Sequence, residues 1–143
     1  MRIYAYKNEE TVLRESLTLG SGTGIVGGMP ELESLARQHK ALGEPSRLRI
    51  VRLLKQSSLC VCEIEAILEL PQYAVSRHLS VLRQAGLVEG WREGTWMHYR
   101  LAEKLSPAWN RALEALCQVW DEDKIIRRDL RRHRKQCLQK ECG

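Results

Sequence analysis

Residues 63–86 of the chain read EIEAILELPQYAVSRHLSVLRQAG and contain the strongest structural pattern of the sequence. Its apolar side chains recur at helical spacing in two runs, Ile64, Ile67 and Leu68 in the first and Val75, Leu79 and Leu82 in the second. Pro71 ends the first run, because proline disfavours helical backbone in the residue before it. Gly86 follows the second run and is typical of a helix C-terminal cap. The stretch therefore predicts a short helix over 63–70, a tight turn and a second helix over 72–84.

The two helices and their turn form a helix-turn-helix pattern, and the next segment adds a β-hairpin. Strand-like runs span Leu87 to Arg92 and Thr95 to Leu101, around Glu93-Gly94. In the second run two sets of residues alternate, Met97, Tyr99 and Leu101 with Trp96, His98 and Arg100. Such alternation gives the hairpin one inward face. We therefore predict a mainly α fold with a small β-hairpin, a winged helix-turn-helix.

Two further helices are predicted before this unit. Pro30 starts an amphipathic helix that reaches about Leu42. Pro45 starts another, whose broad buried face consists of Leu48, Ile50, Val51, Leu53 and Leu54. The basic residues of this helix are predicted to take its other side, and they are Arg47, Arg49, Arg52 and Lys55.

A last helix follows Pro107 and carries an apolar stripe at spacings of four, three and four residues, namely Trp109, Leu113, Leu116 and Trp120. A small domain has little need of so apolar a stripe on a terminal helix. We therefore predict that the stripe pairs with a second subunit, together with Leu35 of the first helix, in a homodimer. The alternative is that it covers only the core of its own chain.

The chain of 143 residues divides by composition into three parts. Residues 1–29 lack sustained periodicity and end in a glycine-rich run, as a flexible extension does. Residues 30–122 hold the predicted DNA-binding and dimerisation domain, and residues 123–143 form a basic tail that contains cysteine. Residues 124–143 carry eight basic and two acidic side chains, so the net charge of +5 is a property of the tail. A solvated helix end and contact with phosphates are both open for it.

No membrane or secretory segment is expected. The longest stretch without charge, residues 16–30, is rich in glycine and shorter than the roughly 20 apolar residues that span a bilayer. Glu9, Glu10 and Glu15 interrupt the N-terminus where a signal peptide would lie. We therefore expect a cytoplasmic protein without a membrane partner.

The chain has an odd number of cysteines, which are Cys60, Cys62, Cys117, Cys137 and Cys142. Cytoplasmic thiols stay reduced, which argues against a structural disulfide framework and favours metal binding or redox chemistry. Cys60 and Cys62 stand at i and i+2, so they can bind one ion only where the backbone is extended or at a helix boundary. The alternative is that both are small buried hydrophobic residues.

Four motifs occur in order along the chain: ALGEPSRLRI at 41–50, LCVCEI at 59–64, VSRHL at 75–79 and GTWMHYRL at 94–101. Together they resemble the ArsR/SmtB family of metalloregulatory repressors, over about residues 31 to 120. The resemblance implies a homodimer that holds operator DNA and releases it when a thiophilic ion binds. LCVCEI looks like the site of the arsenical-resistance branch, which implies Cys60 and Cys62 as ligands and As(III) or Sb(III) as inducer. The zinc or nickel ligands that the family carries on its last helix have no counterpart here.

One position departs from the arsenical branch. Where that branch has a third cysteine, three positions beyond Cys62, this chain has Glu65. A thiol-loving ion prefers thiolates to a carboxylate. The candidates for a third ligand are Cys117, Cys137 and Cys142, although Cys117 lies beside the apolar stripe of the last helix, where core packing is the better explanation.

A helix-turn-helix reads DNA through outward side chains near the start of its second helix. On this helix the outward residues are Gln72, Tyr73, Ser76, Arg77 and Ser80. Gln72 can pair with adenine, and Arg77 with guanine or phosphate. His78 borders the core, so packing and DNA contact are both open. Arg92 of the wing is predicted to contact the DNA backbone, the alternative being an ordinary solvated charge.

Other classes of function are less well supported. Residues 22–27 match the dinucleotide fingerprint, but neither a preceding strand nor a βαβ unit surrounds them, so an enzyme is not predicted. Among regulators, the alternative is a thiol-redox sensor in which Cys60 and Cys62, or the cysteines of the tail, are oxidised.

Overall fold

The computed structural model describes residues 31–141, and within them the chain forms six helices and a three-stranded antiparallel sheet. In chain order the elements are α1 (Leu32–Leu42), α2 (Pro45–Leu54), β1 (Leu59–Cys60), α3 (Val61–Leu68), α4 (Gln72–Gln84), β2 (Val88–Glu93), β3 (Trp96–Leu101), α5 (Pro107–Trp120) and α6 (Lys124–Glu141). This is the predicted winged helix-turn-helix, with α3 and α4 as the two helices and β2 and β3 as the wing. None of the described helices has the length and apolar character needed to cross a membrane.

The turn between α3 and α4 has a distinctive backbone. Glu69 caps α3 in the left-handed conformation, with φ of 55°, and its N–H donates to the carbonyl of Glu65. Pro71 then occupies the N-cap of α4. Gly86 follows α4 with φ of 77°, which confirms the predicted cap. The predicted inward residues of both helices are all buried, namely Ile64, Ile67, Leu68, Val75, Leu79 and Leu82.

The sheet contains one strand more than the predicted hairpin. β2 and β3 pair along their whole length around a turn at Gly94, where φ is 59°. β1 pairs with the other edge of β3, which places Leu59 opposite Tyr99 and Cys60 opposite His98. Two residues are too few for a strand period to be read from a sequence. Cys60 is therefore joined to the wing by backbone pairing that only the structure shows.

His98 departs from the predicted alternation of β3. It is half-buried, because its ring stacks on Trp91 with the centroids 5.5 Å apart. On the next residue, the ring of Tyr99 covers Gly90, where an added Cβ would lie 2.8 Å from a ring carbon. A residue larger than glycine at position 90 would therefore require the ring of Tyr99 to move.

The hydrophobic core is formed by α2, α3, α4 and the sheet and is extended by α5. The predicted inward residues of α2 are buried, namely Ile50, Val51, Leu53 and Leu54, with Leu48 packed beside them. Leu113 of α5 is fully buried in the same core, so its side chain has no exposed surface to offer a second subunit. Trp109 is half-buried, and its indole N–H donates to Oε1 of Gln38 at 2.9 Å. The stripe on α5 thus serves partly the core of its own chain.

Two arginines of α2 are covered by residues of the C-terminal part of the chain. Arg49 donates two hydrogen bonds to the carboxylate of Asp129, at 2.6 and 3.1 Å. Arg52 donates two to Asp121, at 2.6 and 2.9 Å. Two-bond contacts between guanidinium and carboxylate are among the stronger hydrogen bonds of proteins. The hydrogen bond from Arg52 lowers the pKa of Asp121, so this carboxylate is charged at neutral pH.

Most of the predicted basic tail is helix α6, which packs on α2 and α3. Ile126, Asp129 and His133 are buried on its inner side. Arg132 donates to the carbonyl of Ile67 at 3.0 Å and to the carboxylate of Glu69 at 2.8 Å. The packing is not evident from composition, because the polar residues of the inner side have their partners on distant parts of the chain.

We expect Asp129→Asn to lower the free energy of unfolding by about 3 kcal/mol, because it leaves the guanidinium of Arg49 enclosed without its counter-charge. Urea unfolding followed by circular dichroism measures this loss. The matched control is Glu103→Gln, which breaks an exposed ion pair with Arg100 and should cost less than about 1 kcal/mol. Equal losses in the two variants would contradict a structural role for the Arg49–Asp129 pair.

Candidate nucleic-acid interface and thiol site

The outward face of α4 is as predicted. Its five predicted DNA-contact residues are all exposed, namely Gln72, Tyr73, Ser76, Arg77 and Ser80. Tyr73 leaves 71% of its surface in solvent although it is a large aromatic residue. Such a side chain at the start of a recognition helix is available to DNA. Contact with DNA by these residues remains a prediction.

His78 is half-buried on the side of α4 that faces α2. Its Nδ1 lies 3.5 Å from Oε2 of Glu44. The same carboxylate oxygen accepts a hydrogen bond from the backbone N–H of Arg47 at 3.0 Å and so caps α2. The position of His78 therefore favours packing between α2 and α4 over contact with DNA.

A groove of about 420 Å³ lies between the start of α3, the start of α4 and the wing. Gln72 and Ser76 line it from α4, and Arg92 lines it from β2. Cys62 lines it from α3. The groove thus brings a predicted sensor residue together with three predicted DNA contacts.

The two neighbouring cysteines lie at the boundary between β1 and α3. α3 starts two residues before the predicted Glu63, so Cys60 is its N-cap, with extended backbone (φ −79°, ψ 161°), and Cys62 lies in its first turn. Cys60 is buried and Cys62 is exposed. The boundary position is the one that the sequence requires for both sulfurs to approach one ion. Their Cα atoms are 5.4 Å apart.

The sulfurs of Cys60 and Cys62 are joined in a disulfide. A bond between two residues this close in the chain is not a structural disulfide framework, and it is the oxidised form of the pair that the redox alternative names. The spacing of two residues still excludes a shared helix face, but the extended backbone at Cys60 turns its side chain back toward the first turn of α3. The pair can therefore exist as a dithiol or as a disulfide without a long-range rearrangement.

Helix α6 contacts the chain on both sides of the thiol pair. Oγ of Ser57 lies 2.9 Å from Nε2 of His133, three residues before Cys60. Lys140 forms an ion pair with Glu63, whose carboxylate also accepts the backbone N–H of Cys60 at 2.7 Å. Burial, and then the nearby charge of Arg52, lower the pKa of His133, so its ring is neutral at pH 7. These contacts escape sequence reasoning, because no local pattern links residues 57 and 133.

The predicted third ligands are not gathered at the pair. Cys117 is buried on α5, and burial raises the pKa of its thiol. Cys137 is exposed on α6, with its Sγ 3.7 Å from Nε2 of His133. Within residues 31–141 no three His, Cys, Asp or Glu side chains are arranged to hold a metal ion. Cys142 lies outside the described residues.

The predicted dimer surface is partly visible on the single chain. Leu35, Leu116 and Trp120 are half-buried. Two neighbouring apolar residues are more open, since Leu32 of α1 exposes 81% of its surface and Val119 of α5 exposes 64%. Sequence periodicity draws no attention to Val119, because it lies off the stripe. The use of these residues in a dimer remains a prediction.

Comparison with known proteins shows that the chain is similar to bacterial and archaeal transcriptional regulators. A family model described as "Bacterial regulatory protein, arsR family" matches residues 44–90. An HTH-type transcriptional regulator of Methanocaldococcus jannaschii is 42% identical over 76 residues, which are 52% of this chain and 85% of that protein. The arsenical resistance operon repressor of Escherichia coli is 39% identical over 89 residues, which are 60% of this chain and 74% of that protein. The homodimeric winged helix-turn-helix DNA-binding domain Mb0332 of Mycobacterium bovis has 29% identity and a TM-score of 0.54, over 83% of this chain and 91% of that one.

We expect iodoacetamide to modify Cys62 and Cys137 of the reduced protein before Cys60 and Cys117. The first two thiols are exposed, whereas the other two are buried, and the raised pKa of Cys117 leaves less reactive thiolate. Mass spectrometry of tryptic peptides over a time course measures the order. Without reductant, Cys60 and Cys62 should both be protected while Cys137 still reacts. Modification of Cys60 at the same rate as Cys62 would contradict this assignment.

Proposed function

The chain belongs to the ArsR family of bacterial regulatory proteins, and on this premise we propose that it is an operator-binding repressor released by arsenite or antimonite at Cys60 and Cys62. One observation carries the proposal. The thiol pair lies where β1 meets α3. At this junction β1 pairs with β3 of the wing, and Cys62 lines the groove beside α4. Ligand chemistry at the pair therefore takes place next to the predicted DNA contacts.

The donor set suits a soft, trivalent ion. When arsenite, As(OH)₃, reacts with two thiols, two As–S bonds form, two water molecules leave and one hydroxyl stays on arsenic. Thiolates are the ligands that such an ion prefers. The half-buried carboxylate of Glu65 lines the same groove but is a poor substitute for a third thiolate. Two thiolates and a hydroxyl therefore form the coordination that the described residues support.

Release requires that the ligand bind the DNA-free conformation more tightly than the DNA-bound one. An ion bound by both sulfurs fixes the distance between Cys60 and Cys62. Cys60 is joined to β3 of the wing, whereas Cys62 belongs to α3. A change in that distance shifts the wing relative to the helix-turn-helix. Operator DNA must in turn weaken arsenite binding by the same factor, since linkage is reciprocal.

A homodimer supplies the second helix-turn-helix that a palindromic operator needs. The apolar surface left on α1 and α5 supports pairing through these helices, with Leu35, Leu116 and Trp120 at its half-buried margin and Leu32 and Val119 exposed. Leu113 contributes by supporting α5 from the core and not by contact with the partner.

A thiol-redox repressor is the second candidate. The observation that favours it is the bond between the sulfurs of Cys60 and Cys62. Formation of this disulfide from the dithiol gives two electrons and two protons to an oxidant such as peroxide. The same junction would then change shape through oxidation instead of ion binding.

We expect the double variant Cys60→Ser, Cys62→Ser to bind operator with unchanged affinity and to ignore arsenite, because the ligands are removed while the DNA-contact residues remain. Fluorescence anisotropy of a labelled operator, at fixed salt, measures binding with arsenite, antimonite and peroxide added separately. Cys137→Ser is the matched control and should respond as the unmodified protein does. Release of the double variant by arsenite would exclude the proposed site. Release of the unmodified protein by peroxide alone would favour the redox candidate.

The predicted DNA contacts differ in what they recognise. Gln72→Ala should weaken operator binding by about 1–3 kcal/mol and leave binding to unrelated DNA unchanged, because it removes a hydrogen-bonding partner of a base edge. Arg92→Ala should weaken binding to both and reduce the slope of log K against log salt by about 0.9 for each phosphate that the side chain neutralises. Anisotropy titrations over a range of salt concentrations measure both effects. Equal weakening of specific and unspecific binding by Gln72→Ala would contradict base readout.

A further inference from the structure

We propose that the outer face of α6 binds phosphates of operator DNA that flank the base pairs read by α4. The face carries five basic residues that we call the basic stripe, namely Lys124, Arg127, Arg131, Arg134 and Lys135. This proposal goes beyond the proposed sensing function and depends only on DNA binding.

The stripe lies on the side of α6 that faces away from the protein. The inner side is defined by the buried residues Ile126, Asp129 and His133, at spacings of three and four residues. The five residues of the stripe occupy the intervening positions, and all of them are exposed. The charge of α6 is therefore unevenly distributed, since its inner side is packed on the protein and its outer side is basic.

The residues of the stripe differ from the other basic residues of α6 in their ion pairs. The other basic residues of α6 each reach a carboxylate, Arg128 at Asp129, Arg132 at Glu69 and Lys140 at Glu63. No ion pair of the described part of the chain involves a residue of the stripe. The protein thus neutralises the inner cations of the helix, whereas the outer ones face solvent.

The arrangement of the stripe does not stabilise the helix. Arg127 and Arg131, and again Arg131 and Lys135, stand at i and i+4, where like charges cost about 0.2–0.5 kcal/mol for each pair. Lys124 lies in the first turn, where the helix dipole also disfavours a cation. The charges of the stripe therefore suit an external polyanion better than they suit the isolated helix.

The position of α6 indicates that the polyanion is DNA. α6 runs antiparallel along α3, because Arg132 contacts Ile67 and Glu69 at the end of α3 and Lys140 contacts Glu63 near its start. The first helix of a helix-turn-helix crosses the DNA backbone. In the docking that we propose, a basic helix packed beside α3 is close to that backbone and outside the groove read by α4. Arginine, which makes up three of the five residues, also matches the geometry of phosphate oxygens.

The test compares two variants with the same change of charge. The first replaces four residues of the stripe, Arg127→Gln, Arg131→Gln, Arg134→Gln and Lys135→Gln. The control replaces four exposed cations elsewhere that have no ion pair within the described residues, Arg37→Gln, Lys40→Gln, Lys104→Gln and Arg111→Gln. Circular dichroism and gel filtration check that helix content and oligomeric state are kept. Binding is measured by anisotropy between low and high salt, on a minimal operator duplex and on one extended by a helical turn at each end.

On the extended duplex, we expect the stripe variant to reduce the slope of log K against log salt by about 0.9 for each phosphate that the stripe neutralises, counted over both subunits. The effect should be smaller on the minimal duplex, which lacks the flanking phosphates, and the control variant should keep a steeper slope than the stripe variant. Release by arsenite or oxidant should persist in the stripe variant, which separates this test from that of the sensor. A slope equal to that of the control on the extended duplex would overturn the proposal and leave the stripe as a solvated face.

Discussion

Two enclosed guanidinium groups on α2 require opposite charges, and the C-terminal part of the chain supplies them. The two groups belong to Arg49 and Arg52. A guanidinium group carries a positive charge in proteins, and a charge removed from water costs several kcal/mol unless an opposite charge meets it. Asp121 follows α5 and Asp129 lies within α6, and each gives both carboxylate oxygens to one arginine. These pairs form only when α5 and α6 are correctly placed against α2. The position of both helices relative to the helix-turn-helix therefore depends on them.

Once α6 is held in this way, it contacts several parts of the protein that the functional proposals use. Its inner side reaches Ser57 and Glu63, on either side of the thiol pair, and its outer side carries the basic stripe. The sheet supplies a second connection, since Cys60 pairs with His98 of the wing. A chemical change at the thiols therefore has direct structural neighbours in the wing, in α3 and in α6.

The sequence predicts an element well when the residues that determine it are close together in the chain. The bounds of α4 agree with the prediction, because its apolar period, the preceding proline and the following glycine are all local. The start of α3 is two residues earlier than predicted, because the side chain of Glu63 caps the backbone of Cys60, a contact that apolar periodicity does not record. The disulfide between Cys60 and Cys62 is the oxidised form that the redox alternative names, and the sequence does not choose between this form and the dithiol.

Local sequence patterns predicted the winged helix-turn-helix, the outward residues of α4 and the pair of cysteines as the candidate sensor, because helix period, turn residues and motifs act within a few positions. Contacts between distant parts of the chain place most of the basic tail in a packed helix, bury Leu113 in the core and join β1 to the wing, and no local pattern predicts them. The arginine pairs show the reason, since their partners stand 80 and 69 positions apart in the chain. The sequence does not show which opposite charge a residue pairs with, because folding brings the two charges together and removes the water between them.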